Sequence, residues 1–150
     1  KPFDAGELQL RIRNMLLQRE KLQERTRDML LNTNDYSQVL EENPFLSSVY
    51  RVMEEQYADE GLSVEDIADQ LNLSRSQFYR KTHSDTGTTP NELLRKLRID
   101  KSAQFLKSGN YNVAQAMYAS GFQSTSNFSR SFRKYMGMNP LEYKKSCSKK

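Results

Sequence analysis

The sequence predicts an all-α protein: two helix-turn-helix subdomains joined by a long linker helix and preceded by a long N-terminal helix. Three observations support this. Apolar residues recur at helical spacing, as in Val64, Ile67, Ala68 and Leu71. Capping residues stand ahead of the periodic stretches, as Ser63 does with Asp66 three positions on. Finally, Val113 to Ser120 stands where Val64 to Leu71 stood, and Ser124 to Arg130 parallels Ser74 to Arg80, so one supersecondary unit occurs twice.

In chain order, Asp4 is an N-cap with Glu7 three residues later, and it opens the first helix. Leu8, Ile12, Met15, Leu22 and Met29 mark a heptad seam that Arg19 and Thr26 interrupt. This pattern suits a marginal coiled coil or a helix packed on a preceding domain. Residues 32–43 contain Asn-Thr-Asn-Asp and form a linker, with a short helical piece at Tyr36 to Leu40. Asn43-Pro44 restarts helical order, and Phe45, Leu46, Val49, Tyr50, Met53 and Tyr57 follow on one face until Gly61. In the first motif, Asn72 suits the left-handed exit of a tight turn and Ser74 caps the second helix. After Gly87-Thr-Thr-Pro90, a helix from about Asn91 to Lys107 buries Leu93, Leu94, Leu97, Ala103 and Leu106. Gly121 takes the place of Asn72 in the repeat, and Gly137-Met-Asn-Pro140 repeats Gly87 to Pro90. Lys144 to Lys150 is expected to fray, with 146–150 a basic tail.

Composition narrows the function. Charged residues are 28% of the chain and tryptophan is absent, with a mean hydropathy of −0.86, and no apolar run suits a membrane span or signal peptide. The single cysteine, Cys147, offers neither a disulfide framework nor a Cys-based metal site. A cytoplasmic setting without membrane contact is expected. One histidine, no glycine-rich phosphate loop and no clustered carboxylates leave little for catalysis, so neither an enzyme nor a cofactor or metal site is expected. Residues 1–60 carry a net −4 and residues 61–150 a net +8, so the positive charge coincides with the paired motifs. Concentrated positive charge suits a polyanion such as double-stranded DNA.

A recognition helix buries one stripe and offers the other to the major groove. In the first motif Phe78 and Thr82 point inward, which leaves Arg75, Ser76, Tyr79, Arg80 and His83 outward. In the second, Phe128 and Phe132 point inward, which leaves Thr125, Ser126, Asn127, Ser129, Arg130 and Arg133 outward. Arg75, Ser76, Tyr79, Arg80, Thr125, Ser126, Asn127 and Arg130 are candidates for base contacts, because arginine pairs with guanine and the smaller polar side chains with several base edges. Ser74, Ser124, Arg133 and Lys134 are candidates for phosphate. Structural roles compete at these positions: an intradomain ion pair for Arg80 and Arg130, packing on a neighbouring helix for Tyr79, and helix capping for Ser74 and Ser124.

The doubled unit resembles the AraC/XylS family of bacterial transcription regulators. The likeness rests on Arg95-Lys-Leu-Arg98-Ile, Ala103, Gly121-Phe122, Phe128-Ser-Arg130-Ser-Phe132-Arg-Lys134, Gly137, Pro140 and Tyr143, and runs over roughly 100 residues. It implies a sequence-specific DNA-binding domain at 44–145, with base contacts at Ser76, Tyr79, Arg80, Thr125, Ser126 and Arg130. Departures from the family pattern are Ala116 and Met117 in reversed sizes, Ser120 for an aliphatic residue, and Thr82 for an aromatic or aliphatic one; all bear on packing. Residues 1–31 resemble the close of a response-regulator receiver, where a Lys-Pro pair ends the last strand and an amphipathic helix follows. That likeness implies the output end of a two-component phosphorelay, in a response regulator or a hybrid sensor kinase. The heptad-like helix at Leu8 to Met29 suggests a homodimer through the N-terminal helix, and RNA polymerase is a further candidate partner. The competing reading is a protein-interaction module whose degenerate second motif touches the transcription machinery.

Overall fold

The structure, a computed structural model, describes residues 4–148; the Lys-Pro pair at the start and the last two residues of the basic tail lie outside the described residues. All regular structure among the described residues is helical: α1 (Ala5–Asn32), α2 (Ser37–Glu42), α3 (Pro44–Gln56), α4 (Val64–Gln70), α5 (Arg75–Thr86), α6 (Pro90–Ser108), α7 (Val113–Ala119), α8 (Thr125–Met136) and α9 (Pro140–Ser148).

The helices begin where the side chains supply caps for the free N–H groups of a first turn. Asp4 accepts from the Gly6 amide, Asn43 from Leu46, and Thr89 from Glu92. Ser63–Asp66, Ser74–Gln77 and Asn112–Gln115 form reciprocal capping boxes. In the first motif the chain turns through Asn72 at φ 59°, the left-handed exit expected there.

Two hydrophobic cores share α6. Leu93, Leu94 and Leu97 close the first core with Leu46, Val49, Met53, Ile67 and Phe78. Two residues further on, Ile99 opens the second, with Ala103, Leu106, Met117, Phe128 and Phe132. Each core holds up one motif, so α4–α5 and α7–α8 are fixed to opposite ends of the same helix. Gly121 is the tightest point between them. Its φ is +96°, and a Cβ there would lie 2.3 Å from the Tyr57 carbonyl and 2.8 Å from Arg98 Nε.

Three expectations change. The segment 32–43 is packed, because Val39 is buried in the first core and Tyr36 packs against it. The tail is helical through Ser148: Asn139 caps the Glu142 amide at 2.8 Å, and Tyr143 stacks edge-on against Phe132. The seam of α1 is divided. Met29 packs against the first core, whereas Leu8, Ile12, Met15 and Leu22 remain 48%, 49%, 68% and 62% exposed; beside the seam, Leu30 is fully buried and Gln23 reaches α5. Arg19, which looks like an interruption of the seam, lies on the docked half and donates to Ser84 Oγ.

The packing departures are absorbed locally. Ser120 is buried, but its hydroxyl donates to the Ala116 and Met117 carbonyls at 2.8 and 3.0 Å. Ala116 and Met117 both reach the second core in their reversed sizes. Thr82 is fully buried and its Oγ1 has no hydrogen-bond partner.

Candidate nucleic-acid interface

α5 has Phe78, Thr82 and Thr86 against the first core, and the other side of the helix carries Ser76, Arg80 and His83, all exposed. Arg75 is held at the mouth of the motif, with Nη1 2.9 Å from the Glu65 carboxylate and its guanidinium 5.4 Å from the Tyr79 ring centre. Tyr79 is half-buried, and its hydroxyl accepts from Asn91 Nδ2 at 2.7 Å, which leaves the phenolic proton free for an outside acceptor. Packing and presentation thus coexist in Tyr79: the ring braces α5 against α6 while the oxygen stays at the surface. Ser74 acts as the cap, accepting from Gln77 at 3.1 Å.

In the second motif Phe128 and Phe132 face the core, while Thr125, Ser126, Asn127 and Arg130 are exposed around the first turns of α8, and Arg133 is exposed further along it. Ser129 is half-buried. Ser124 is again a cap, accepting from the Asn127 amide at 3.3 Å. Arg80 and Arg130 take part in no ion pair among the described residues, so the competing role as intradomain partners is not the one they adopt. Lys134 is different. Its ammonium lies 2.6 Å from Glu92 on α6, so this phosphate candidate already has an internal anion. Burial works against the Glu92 carboxylate, but hydrogen bonds from Lys134 and Tyr135 and the positive charge of Lys134 and Arg95 hold it below its usual range.

The two motifs meet across one cleft, whose lining includes Arg75, Tyr79, Arg95, Arg98, Ser124 and Asn127. Candidates from both halves therefore face a common space. Arg98 in that cleft is structural, donating to the Tyr57 and Asp59 carbonyls at 3.0 and 2.8 Å. Asn91 and Arg95 escape sequence reasoning because they sit on the linker helix, outside either recognition helix. The signal available for them was their position one and five residues after the Pro90 start, on the side away from Leu93 and Leu97.

No group of three or more His, Cys, Asp or Glu side chains suited to a metal occurs among the described residues. None of their helices is long and apolar enough to cross a membrane.

Comparison with known proteins agrees with this geometry. A family profile described as a helix-turn-helix domain matches residues 67–146. A histidine kinase P4 of Formosa agariphila is 28% identical over 144 residues, which is 95% of this chain and 10% of the kinase, so the chain spans about a tenth of that relative. The C-terminal domain of AraT, a response regulator from Geobacillus stearothermophilus, superposes with a TM-score of 0.63 at 25% identity, over 69% of this chain and 86% of that one. The DNA-binding domain of AdpA, a global transcriptional factor solved with a target DNA, superposes with a TM-score of 0.62 at 26% identity, over 69% and 92%.

Proposed function

The chain belongs to the AraC-type helix-turn-helix family of DNA-binding transcription-regulator domains, and from that membership we propose that its two motifs read one asymmetric DNA site in two successive major grooves. One observation carries the reading: α5 and α8 are fixed to one continuous helix, and each presents an unpaired arginine and short polar side chains on the side opposite its core stripe. In this reading Arg75, Ser76, Tyr79 and Arg80 contact bases in one groove, and Thr125, Ser126, Asn127 and Arg130 in the next. Ser74, Ser124 and Arg133 contact phosphate, and Lys134 joins them by exchanging Glu92 for the backbone. If the motifs do not match the roughly 34 Å groove repeat, the DNA bends to meet them.

The domain serves as the output end of a two-component phosphorelay in the bacterial cytoplasm. The match of 95% of this chain to a tenth of a histidine kinase and the likeness to a response-regulator output domain support that placement. Dimerisation through α1 would then double the number of half-sites engaged, and RNA polymerase would be the downstream partner.

Arg80→Ala and Arg130→Ala test the two-groove reading. Each is expected to cost about 1 to 3 kcal/mol of binding and to relax preference at different base pairs of one site. Selection from random duplexes at stated salt, followed by footprinting, reads this directly. If both variants relax the same base pairs, the two-groove reading is wrong; if changes at Thr125 to Arg130 leave preference untouched, the second motif is a protein-contact surface.

A further inference from the structure

The outward face of α5 is partly covered by α1. At about 100° per residue, Arg80 and Ser84 stand on either side of the line opposite buried Thr82, on the face a recognition helix offers to DNA. Arg19 donates to Ser84 Oγ, and Gln23 Nε2 donates to the carbonyls of His83 at 2.7 Å and Ser84 at 3.2 Å. One turn earlier, Leu16 and Glu20 share a groove with Tyr79 and Arg80. One turn later, Gln23 and Arg27 flank Gly87. The contacts advance in the same sense along both helices, so α1 and α5 run parallel.

Two magnitudes decide what this means for DNA. The major groove is about 12 Å wide and admits one helix about 10 to 12 Å across, whereas two helices in contact add a further 8 to 10 Å of axial separation. In addition, α1 continues from Leu16 to Ala5, about 16 Å at 1.5 Å per residue, while α5 has only about 6 Å left between Tyr79 and Arg75. The N-terminal part of α1 therefore overshoots the reading end of α5 by roughly 10 Å.

We propose that α1 is a clamp that closes the first motif to the major groove, and that the protein must lift α1 from α5 before this motif can read DNA. The proposal rests on the DNA-reading function. The clamp is light: the hydrogen bonds that hold α1 to α5 come from two side chains, Arg19 and Gln23, on backbone or hydroxyl oxygens, and Leu8, Leu10, Ile12, Met15 and Leu16 beyond them are exposed. A light clamp suits an element meant to be displaced. The second motif remains open, so the clamped protein retains half of its reader.

Gln23→Glu replaces a donor by a carboxylate facing two carbonyl oxygens, at constant shape, in a residue outside the reading surface. In the full chain, this variant is expected to bind the selected duplex about tenfold more tightly than the parent, because affinity scales with the fraction of open protein. The converse variant joins Arg19→Cys to Ser84→Cys with a short bismaleimide in a Cys147→Ser background. The bridged protein is expected to bind at least tenfold more weakly than the unbridged pair and to lose protection at the first half-site only. Equal affinity of parent and Q23E, or of bridged and unbridged protein, overturns the clamp while leaving DNA reading intact. No duplex binding by any of these proteins overturns the DNA reading and the clamp with it.

Discussion

Lys96→Met removes a charge from the interior and leaves its partner behind. Lys96 and Asp100 are 3% and 7% exposed, and their charged atoms are 2.7 Å apart. The ammonium also donates to the Thr33 carbonyl at 2.7 Å and the Tyr36 hydroxyl at 3.2 Å, and Tyr36 donates in turn to Asp100. Burial pushes Lys96 down to about 8 and Asp100 up to about 7, although Lys101 pulls Asp100 the other way. Burial thus raises Asp100 from its ordinary value to about 7, which at 1.36 kcal/mol per pH unit puts the cost of ionising it at this site at about 4 kcal/mol. That agrees with the roughly 3 to 5 kcal/mol expected when one member of a buried pair is deleted. A carboxyl raised in the folded state keeps a proton that the unfolded chain has released, so stability falls as pH climbs from about 4 towards 7 and returns on acidification. The control is Lys96→Met with Asp100→Asn, which has nothing left to ionise there. Urea unfolding followed by far-ultraviolet circular dichroism should place K96M about 4 kcal/mol below the double variant at pH 7.5. The gap should narrow by about 2 kcal/mol at pH 5.5. A gap that is flat with pH, or under about 1 kcal/mol at pH 7.5, would refute the account of Asp100 as a strained buried acid.

Three further outcomes follow from the packing. Thr82→Val keeps the shape of a fully buried side chain whose hydroxyl lacks a partner, so thermal unfolding should show a gain of about 1 kcal/mol. Gly121→Ala drives a methyl into the Tyr57 carbonyl at a positive φ, so the loss should exceed about 3 kcal/mol and show as a lower melting temperature or insoluble protein. Glu92 is held below its usual value, so its contribution is complete above about 4.5 and is lost as pH falls through the depressed folded value. Glu92→Gln should therefore be less stable at pH 7 and show a flatter acid limb in a pH series of melts.

The paired motifs were legible because their signals are local. Ser63 with Asp66, Ser74 as a helix cap and the left-handed Asn72 each concern residues within a turn of one another, and the repeat supplied a second copy of the unit. The inward pair Phe78–Thr82 and the inward Phe128 and Phe132 followed from helical period alone. What escaped depends on residues far apart in the chain. Lys96 and Asp100 look like solvated charges on an amphipathic helix, and only the return of Thr33 and Tyr36 makes their burial tolerable. Arg19 looks like a flaw in a coiled-coil seam until Ser84 is placed opposite it. The helical tail was within reach, since the repeat of Gly87 to Pro90 at Gly137 to Pro140 implies a following helix; the lysine run masked it.

The change of core between Leu97 and Ile99 sets a phase between the two halves. One extra residue inserted there would turn the second half by about 100° and advance it by only about 1.5 Å. On B-DNA with 10 to 10.5 base pairs per turn, a turn of 100° corresponds to about three base pairs, or roughly 10 Å of axis. Protein and DNA screws have different pitches, so no change in half-site spacing would restore both angle and distance. The length of α6 is thus a gear ratio: a target site and this helix must change together through larger steps, or not at all.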